Sequence, residues 1–137
     1  MQKIIVDTNV IVSSLIQRSY PYRIINELFI EGRMALCLSE QLMAEYCEVL
    51  RRPKFAGFPG FAARAEAILA DIEEKATMYI PSIKLDLISD EDDNMILELA
   101  DESSADFIIT GNTTDFTFPR YKNTRIVTPK EYWTIHQ

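Results

Sequence analysis

The segment KIIVDTNVIVSS, residues 3–14, decides the fold, because a run of β-branched residues that is typical of a protein interior ends there on a carboxylate. The run IIV is short and bounded by polar residues, a pattern that indicates a buried strand. Asp7 follows that strand directly, and a second apolar run begins at Val10. Ligands of open α/β sheets bind outside the carboxyl ends of the strands, so Asp7 stands where chemistry is expected.

Length and composition are those of an ordinary globular protein. The 137 residues suit a single domain, which we expect to cover residues 1–137. The chain is 47% hydrophobic and 26% charged, with no apolar stretch long enough to cross a bilayer and no signal-like start. We therefore expect a cytoplasmic protein without a membrane partner. Cys37 and Cys47 lack metal-ligand spacing and are predicted to be reduced core residues.

The net charge of −7 argues at first sight against a nucleic-acid partner, because such proteins usually present a basic face to phosphates. A cation bound by some of the 21 acidic residues would, however, invert the local field. Two groups of basic residues could then line an approach path, or could be ordinary solvated clusters. These groups are Arg51, Arg52 and Lys54, and Arg120, Lys122 and Arg125.

Apolar periodicity predicts strands that alternate with helices. The predicted strands are KIIV, MALCL, TMYI, DFIIT and RIVT, and the segment FAGFPGF is predicted to be a loop. The predicted helices are NVIVSSLIQ, YRIINELFIE, EQLMAEYCEVLRR, FAARAEAILADIEEKA, SDEDDNMILELADESS and KEYWTI. Ser39 is a suitable N-cap for the third of these helices, and Gly32 follows the second. This alternation indicates a mostly parallel sheet covered by helices on both faces.

Acidic residues recur where predicted strands end or helices begin. Asp7 ends the first strand, residues 90–93 supply the start of a helix, and Asn112 and Asp115 follow the strand DFIIT. In a parallel sheet these positions share one edge, and Glu45 on an intervening helix could lean over it. Carboxylates gathered there would repel one another by roughly 4 kcal/mol per pair at about 4 Å and an effective dielectric constant near 20.

Such a cluster requires protons or a cation. Mg²⁺ prefers oxygen ligands and commonly takes one or two carboxylates together with substrate phosphates, which makes phosphodiester hydrolysis the corresponding reaction. Each acid taken alone also has an ordinary explanation. Asp7 or Asp115 could cap a helix or a turn, Glu45 could be solvated, and residues 90–93 would be favoured in a first helical turn by the helix dipole.

The ordered set of segments resembles the PIN-domain ribonucleases, in particular the VapC-like toxins of prokaryotic toxin–antitoxin pairs. The similarity covers nearly the whole chain and is carried by IIVDTNVIVSSL, by the Glu45 helix ending in EVLRRPKF, by DEDDNMILELADESSADFIITGNTTDF and by RIVTPKEYW. The first segment and residues 90–116 are the most specific pieces, because the acid, the apolar helix and the strand ending in Thr-Gly keep the order and spacing of the family.

The resemblance implies which residues form the site. Asp7, Glu45 and Asp93 match three acids of the family that bind metal and act in catalysis, and Asp115 is the choice for the fourth. Many members carry Asp where this chain has Asn112, and others carry Asn there with an Asp a few residues on. The residues implied to support the acids are Thr8, Asn9, Asp90, Thr110 and Asn112, by hydrogen bonds or, for Asp90, through water.

The resemblance also implies a three-layer α/β/α sandwich with a mostly parallel sheet of four or five strands. It implies a metal-dependent endoribonuclease that uses Mg²⁺ or Mn²⁺ to cleave RNA, a homodimer, and a small antitoxin protein that covers the site. Phe55, Phe58 and Phe61 could contact that partner or the other protomer, but packing under their own loop is the favoured expectation.

Three other functions fit the sequence only in part. Haloacid-dehalogenase-like phosphatases use an Asp at the end of the first strand as nucleophile, but they need a second Asp two residues later, and this chain has Asn9 there. A phosphoacceptor receiver domain would carry its Asp after a middle strand. A catalytically inert PIN-like binding module would keep the fold and use the acids only as caps, which leaves the complete acid set unexplained.

Overall fold

In the computed structural model, six strands of the described residues form one sheet in the order β3-β2-β1-β4-β6-β5. The structure describes residues 1–88, 90–111 and 118–136, apart from the side chains of Glu91, Asp92 and His136. The strands are β1 Lys3–Val6, β2 Ala35–Leu38, β3 Thr77–Met78, β4 Phe107–Ile109, β5 Arg120–Tyr121 and β6 Thr124–Val127. The helices are α1 Thr8–Ile16, α2 Tyr20–Arg23, α3 Glu40–Leu50, α4 Phe61–Lys75, α5 Glu91–Ser103 and α6 Pro129–His136.

Strand β1 occupies the interior of the sheet. It pairs in parallel with β2 and β4, so that Ile4 lies opposite both Leu36 and Phe107. Ile4, Ile5 and Val6 are completely buried, as expected for a strand covered by helices on both faces. The predicted α/β architecture with a mostly parallel sheet flanked by helices is therefore confirmed.

The sheet has six strands, one more than the upper limit of the four or five that were predicted. The parallel part consists of β3, β2, β1, β4 and β6, and the added strand β5 pairs antiparallel with β6. Because β5 contains two residues, it carries no alternation of apolar and polar positions from which a strand could be predicted.

The helices begin and end close to the predicted boundaries. The Ser39 side chain accepts a hydrogen bond of 3.2 Å from the Leu42 amide and caps α3. After α2 the chain continues as a π-helix over Ile24–Phe29, in which the Ile30 amide donates to the Ile25 carbonyl at 2.9 Å. The sequence predicts a helix there, but not this wider turn. Within the part of the chain that the structure describes, no helix is long and apolar enough to span a membrane.

Residues 79–88, which follow β3, form no helix or strand and are held by side chains of α5. Leu85 donates its amide to Glu98 Oε2 at 2.8 Å, and the amides of Leu87 and Ile88 both donate to Asn94 Oδ1 at 2.9 Å. The Asn94 side chain also donates to the Ile88 carbonyl at 2.5 Å. These bonds fix the chain that leads into α5.

Candidate active site

A pocket of about 440 Å³ lies at the carboxyl end of β1 and collects acidic side chains from three separate parts of the chain. Asp7 comes from the end of β1, Glu45 from α3, and Asp90 and Asp93 from the start of α5. Thr8 and Asn9 line the same pocket. The predicted convergence of Asp7, Glu45 and Asp93 at one sheet edge therefore occurs in the structure. Asn112 and Asp115 lie outside the described residues.

Asp7 is held on several sides by hydrogen bonds. Its amide donates to the Ile109 carbonyl at 2.9 Å, which continues the pairing of β1 with β4. One carboxylate oxygen accepts from the Thr8 amide at 2.8 Å and caps α1, and the other accepts from Thr110 Oγ1 at 2.6 Å. The carboxylate is only 7% exposed. Asp7 is thus both a helix cap and a pocket residue, so the two explanations of this residue do not exclude each other.

Asn9 and Thr110 join the ends of β1 and β4 around Asp7. The Asn9 amide group donates to Asp7 Oδ2 at 3.5 Å, and its Oδ1 accepts from the Gly111 amide at 3.3 Å. Thr110 is buried, and its own amide donates to the Val127 carbonyl at 2.9 Å. These contacts place both residues where they can orient the Asp7 carboxylate.

Helix α3 is attached to the end of β1 by two side-chain hydrogen bonds on either side of Asp7. The Tyr46 hydroxyl donates to the Val6 carbonyl, and the Thr8 hydroxyl donates to Glu45 Oε2. Burial raises the pKa of Tyr46 well above its usual value, and the negative charges of Asp7 and Glu45 add to this effect. The phenol therefore stays protonated and remains a donor to Val6, while the bond from Thr8 holds the Glu45 carboxylate beside Asp7.

Asp93 and Asp90 enter the pocket from the N-terminal end of α5. Asp93 is 6% exposed, whereas Asp90 is exposed and its carbonyl accepts from the Asn94 amide at 3.2 Å. The buried Asn94 side chain also donates to that carbonyl at 3.3 Å. Asn94 thereby holds the backbone beside Asp93. The sequence gave no indication of this role for Asn94. Its partners Ile88 and Asp90 lie outside the helices and strands, so no periodic pattern marks them.

The pocket offers oxygen ligands, the type that Mg²⁺ and Mn²⁺ prefer. Among residues 1–88, 90–111 and 118–136, no group of three or more His, Cys, Asp or Glu side chains forms an arrangement that could hold a metal ion. Magnesium commonly keeps several waters and takes only one or two protein carboxylates, so three converging ligands are not a requirement for that ion. Asp7, Asp93 and Glu45 thus supply the type of ligand atom that a hard divalent cation takes, in one pocket.

The two basic groups differ in position. Arg52 and Lys54 line the acidic pocket, whereas Arg51 makes a bidentate ion pair with Glu66 at 2.8 Å for each bond. The second group lies at the opposite edge of the sheet, where the strands begin. Arg125 donates its amide to the Asp106 carbonyl there, and Lys122 pairs with Asp101. Of the two predicted approach paths, only the first contributes to the described lining of the acidic pocket.

Comparison with known proteins places the chain in a family. The family model described as "PIN domain" matches residues 3–114. An uncharacterised protein of Methanocaldococcus jannaschii, MJ1680, is 31% identical over 111 residues, which is 80% of this chain and 70% of that protein. The fold is similar to a chain in the crystal structure of VapBC2 from Rickettsia felis bound to a DNA fragment from their promoter. That similarity has a TM-score of 0.59 at 16% identity and covers 91% of this chain and 97% of the other. The chain belongs to the PIN-domain family.

Proposed function

We propose that the chain is a metal-dependent endoribonuclease that cleaves RNA phosphodiester bonds, with residues 1–137 as a single nuclease domain. The observation that carries this proposal is the convergence of Asp7, Glu45 and Asp93 from distant parts of the sequence in one pocket. Membership of the PIN-domain family supports it, because PIN domains are generally nucleases. A pocket of carboxylates at the carboxyl edge of a parallel sheet is also where a cation and a phosphate group can meet.

In this proposal Asp7, Glu45 and Asp93 are the acids that hold Mg²⁺ or Mn²⁺, with Asp115 as the fourth. The bound ion would polarise the phosphate and lower the pKa of an attacking water. Thr110 and the Thr8 amide fix the Asp7 carboxylate, and the Thr8 hydroxyl fixes Glu45. Asn9, Asp90 and Asn112 are proposed to support the acids. The proposed site residues are thus Asp7, Thr8, Asn9, Glu45, Asp90, Asp93, Thr110, Asn112 and Asp115.

We further propose that the chain is the toxin of a toxin–antitoxin pair. The similarity of fold to a chain of VapBC2 from Rickettsia felis supports this context. The partner would be a small antitoxin that places a basic side chain among the acids, because a fixed cation can take the place of a metal ion. A homodimer and a cytoplasmic location belong to the same proposal. Inspection of the adjacent reading frame for a small DNA-binding protein tests the pairing.

The nuclease activity is tested with purified protein and mixed RNAs in Mg²⁺, in Mn²⁺ and in chelator. We expect cleavage that requires the metal and is abolished by Asp7→Asn and by Asp93→Asn. Asp86→Asn is a matched control, because it makes the same change of charge at an exposed position outside the residues that line the pocket. Cleavage that persists in chelator, or that survives either Asp7→Asn or Asp93→Asn, contradicts the metal mechanism.

The same preparation separates the two alternative functions. Release of phosphate from small esters, with trapping of a phosphate mimic at Asp7, would indicate a phosphatase. In the structure Asn9, which stands at the position of the phosphatase acid, has its side chain bonded to Gly111 and Asp7. Tight binding of a small protein without either activity would indicate a binding module.

A further inference from the structure

An aromatic pocket adjoins the acidic pocket and is not used by the proposed cleavage chemistry. It has a volume of about 430 Å³ and is formed by the end of α3, the following loop and the start of α4. Arg52 and Phe55 line both pockets. The two pockets are therefore neighbouring parts of one surface, and a chain-like ligand seated in the first can extend into the second.

Three phenylalanine rings line the aromatic pocket, two of them buried and one exposed. Phe55 and Phe61 are buried and stacked, with centroids 4.7 Å apart and ring planes 17° from parallel. Phe58 is tilted by 46° to both, and 40% of it is exposed. The expected packing of these rings under their own loop thus applies to Phe55 and Phe61, while Phe58 presents an open ring.

The loop that carries Phe58 is held by its own hydrogen bonds. The Phe58 amide donates to the Phe55 carbonyl at 3.1 Å, and the Phe61 amide donates to the Phe58 carbonyl at 3.0 Å. Arg64 donates to the Pro59 carbonyl at 2.9 Å. Gly60 has a φ of +73°, and a Cβ there would lie 2.8 Å from Arg64 Nη1. The backbone that carries the exposed ring is therefore ordered before a ligand arrives, which lowers the entropic cost of binding.

Positive charge accompanies the exposed ring. Lys54 and Arg52 are exposed beside the junction of the two pockets, and Lys54 Nζ lies 5.2 Å from the centre of the Phe55 ring. The ion pair of Arg52 with Glu48 is solvent-exposed, so phosphate can compete for this arginine. Aromatic rings beside basic side chains are the combination that binds single-stranded nucleic acid, because bases stack on the rings and phosphates meet the charges.

We propose that Phe58 stacks against an unpaired base of the RNA whose scissile phosphate lies in the acidic pocket, with Arg52 and Lys54 contacting the intervening backbone. This inference rests on the proposed nuclease function and specifies its substrate as single-stranded or locally unpaired RNA. A base within a duplex is already stacked between its neighbours, so it cannot offer a face to Phe58 without being extruded.

The stacking contact is tested by fluorescence anisotropy with a labelled single-stranded oligoribonucleotide in chelator, where metal-dependent cleavage does not proceed. We expect Phe58→Ala to weaken binding by about 10-fold or more, in line with the stacking of one base. Phe58→Trp should retain binding, and RNA should quench the fluorescence of the introduced indole. Ile80→Ala, at an apolar position that is 84% exposed, is the matched control and should bind like the unsubstituted chain.

The phosphate contacts are tested by the salt dependence of the same binding. Removal of one phosphate contact lowers the slope of log affinity against log salt by about 0.7 for a single strand. We expect this change for Arg52→Gln and for Lys54→Gln. Arg33→Gln makes the same charge change just before β2, at the edge of the sheet opposite the site, and should leave the slope unchanged.

Cleavage assays separate failure of this inference from failure of the nuclease proposal. If the unsubstituted chain cleaves RNA in Mn²⁺ and Phe58→Ala binds and cleaves single strands equally well, the stacking site is wrong and the nuclease proposal stands. Failure of the unsubstituted chain to bind the oligoribonucleotide in Mn²⁺ as well as in chelator also overturns the stacking site. If Phe58→Ala leaves RNA binding intact but disrupts self-association or a complex with a small protein, the ring belongs to a protein interface instead.

Discussion

At the scale of single residues, the position of Asp7 is decided by a small number of polar contacts. The carboxylate is nearly buried, and its oxygens accept from the Thr8 amide and the Thr110 hydroxyl. Glu45 reaches the same pocket because Thr8 donates to it and the neighbouring Tyr46 is bonded to β1. Negative charge is thereby concentrated in an open pocket whose side chains at Asp7 and Asp93 are nearly buried, and like charges repel more strongly there than in water.

Asp93→Asn is expected to stabilise the metal-free fold. Asp93 is 6% exposed and shares its pocket with Asp7 and Glu45, so loss of its charge relieves both repulsion and desolvation. Thermal unfolding in chelator should show a gain of about 1 kcal/mol, an ordinary size for the effect of one substitution. The exposed Asp86→Asn control should change stability by less than about 0.5 kcal/mol. A melting temperature in chelator at or below that of the unsubstituted chain contradicts this expectation.

Thr110→Val is expected to weaken metal binding while keeping the shape of the side chain. The variant loses the donor that holds Asp7 Oδ2 at 2.6 Å. Loss of a hydrogen bond that orients a metal ligand typically costs about 10- to 100-fold in metal affinity or activity. The Mn²⁺ concentration needed for half-maximal RNA cleavage should rise accordingly, and Thr110→Ser should restore it. Equal Mn²⁺ dependence of the valine variant and the unsubstituted chain would rule out this role for Thr110.

At the scale of elements, helix α5 contributes an acid to the pocket and also binds the segment that precedes it, and we call this second contact the clamp. Its Asn94 and Glu98 side chains bind amides of the preceding segment, while Asp93 lines the pocket. A long connection without regular structure would otherwise leave buried amides without partners, which is costly. The position of the acids at the start of α5 therefore depends on neighbours that take no part in the proposed chemistry.

Asn94→Ala is expected to destabilise the fold by about 2–3 kcal/mol. The substitution removes the acceptor of the Leu87 and Ile88 amides and the donor to the Ile88 carbonyl, all near or in the interior. Urea unfolding monitored by circular dichroism measures the change. Asn26→Ala is the control, because Asn26 makes an exposed hydrogen bond to the Tyr22 carbonyl, and it should cost less than about 0.5 kcal/mol. Equal effects of the two variants would show that the clamp does not stabilise the fold.

At the scale of the whole molecule, the C-terminal helix is joined to the first residues of the chain. The buried Tyr132 of α6 donates its hydroxyl to Gln2 Oε1 at 2.8 Å. Its ring packs edge-on against Phe107 of β4, with centroids 5.2 Å apart. The contact links α6, β4 and the start of β1, so its strength contributes to the stability of the assembled sheet.

This contact predicts a loss of stability at alkaline pH. Burial raises the pKa of Tyr132 to about 12, above the usual value of about 10 that applies to the unfolded chain. As the pH rises, the unfolded state therefore loses this proton before the folded state does. The protonated phenol contributes its full stability below pH 10, and this contribution is lost as the pH rises toward 12. Tyr132→Phe should be less stable than the unsubstituted chain at pH 8, and the difference should shrink by about 2 kcal/mol between about pH 10 and 12. A constant difference in urea unfolding across this range contradicts the assignment.

The sequence by itself determined the elements, the mostly parallel sheet and the edge at which the acids gather. Hydrophobic periodicity and capping residues are local properties, as the run of β1 and the cap at Ser39 illustrate, and the rule that helices begin where parallel strands end then places Asp7 and Asp93. Only the tertiary structure decided that Asn94 clamps the segment before α5, that Tyr46 bonds to Val6, and that Arg52 rather than Arg125 adjoins the pocket. Tyr46 and Val6 are 40 positions apart, whereas Asn94 reaches back only six or seven positions. In each case the partner is chosen by packing in three dimensions, which no local pattern records.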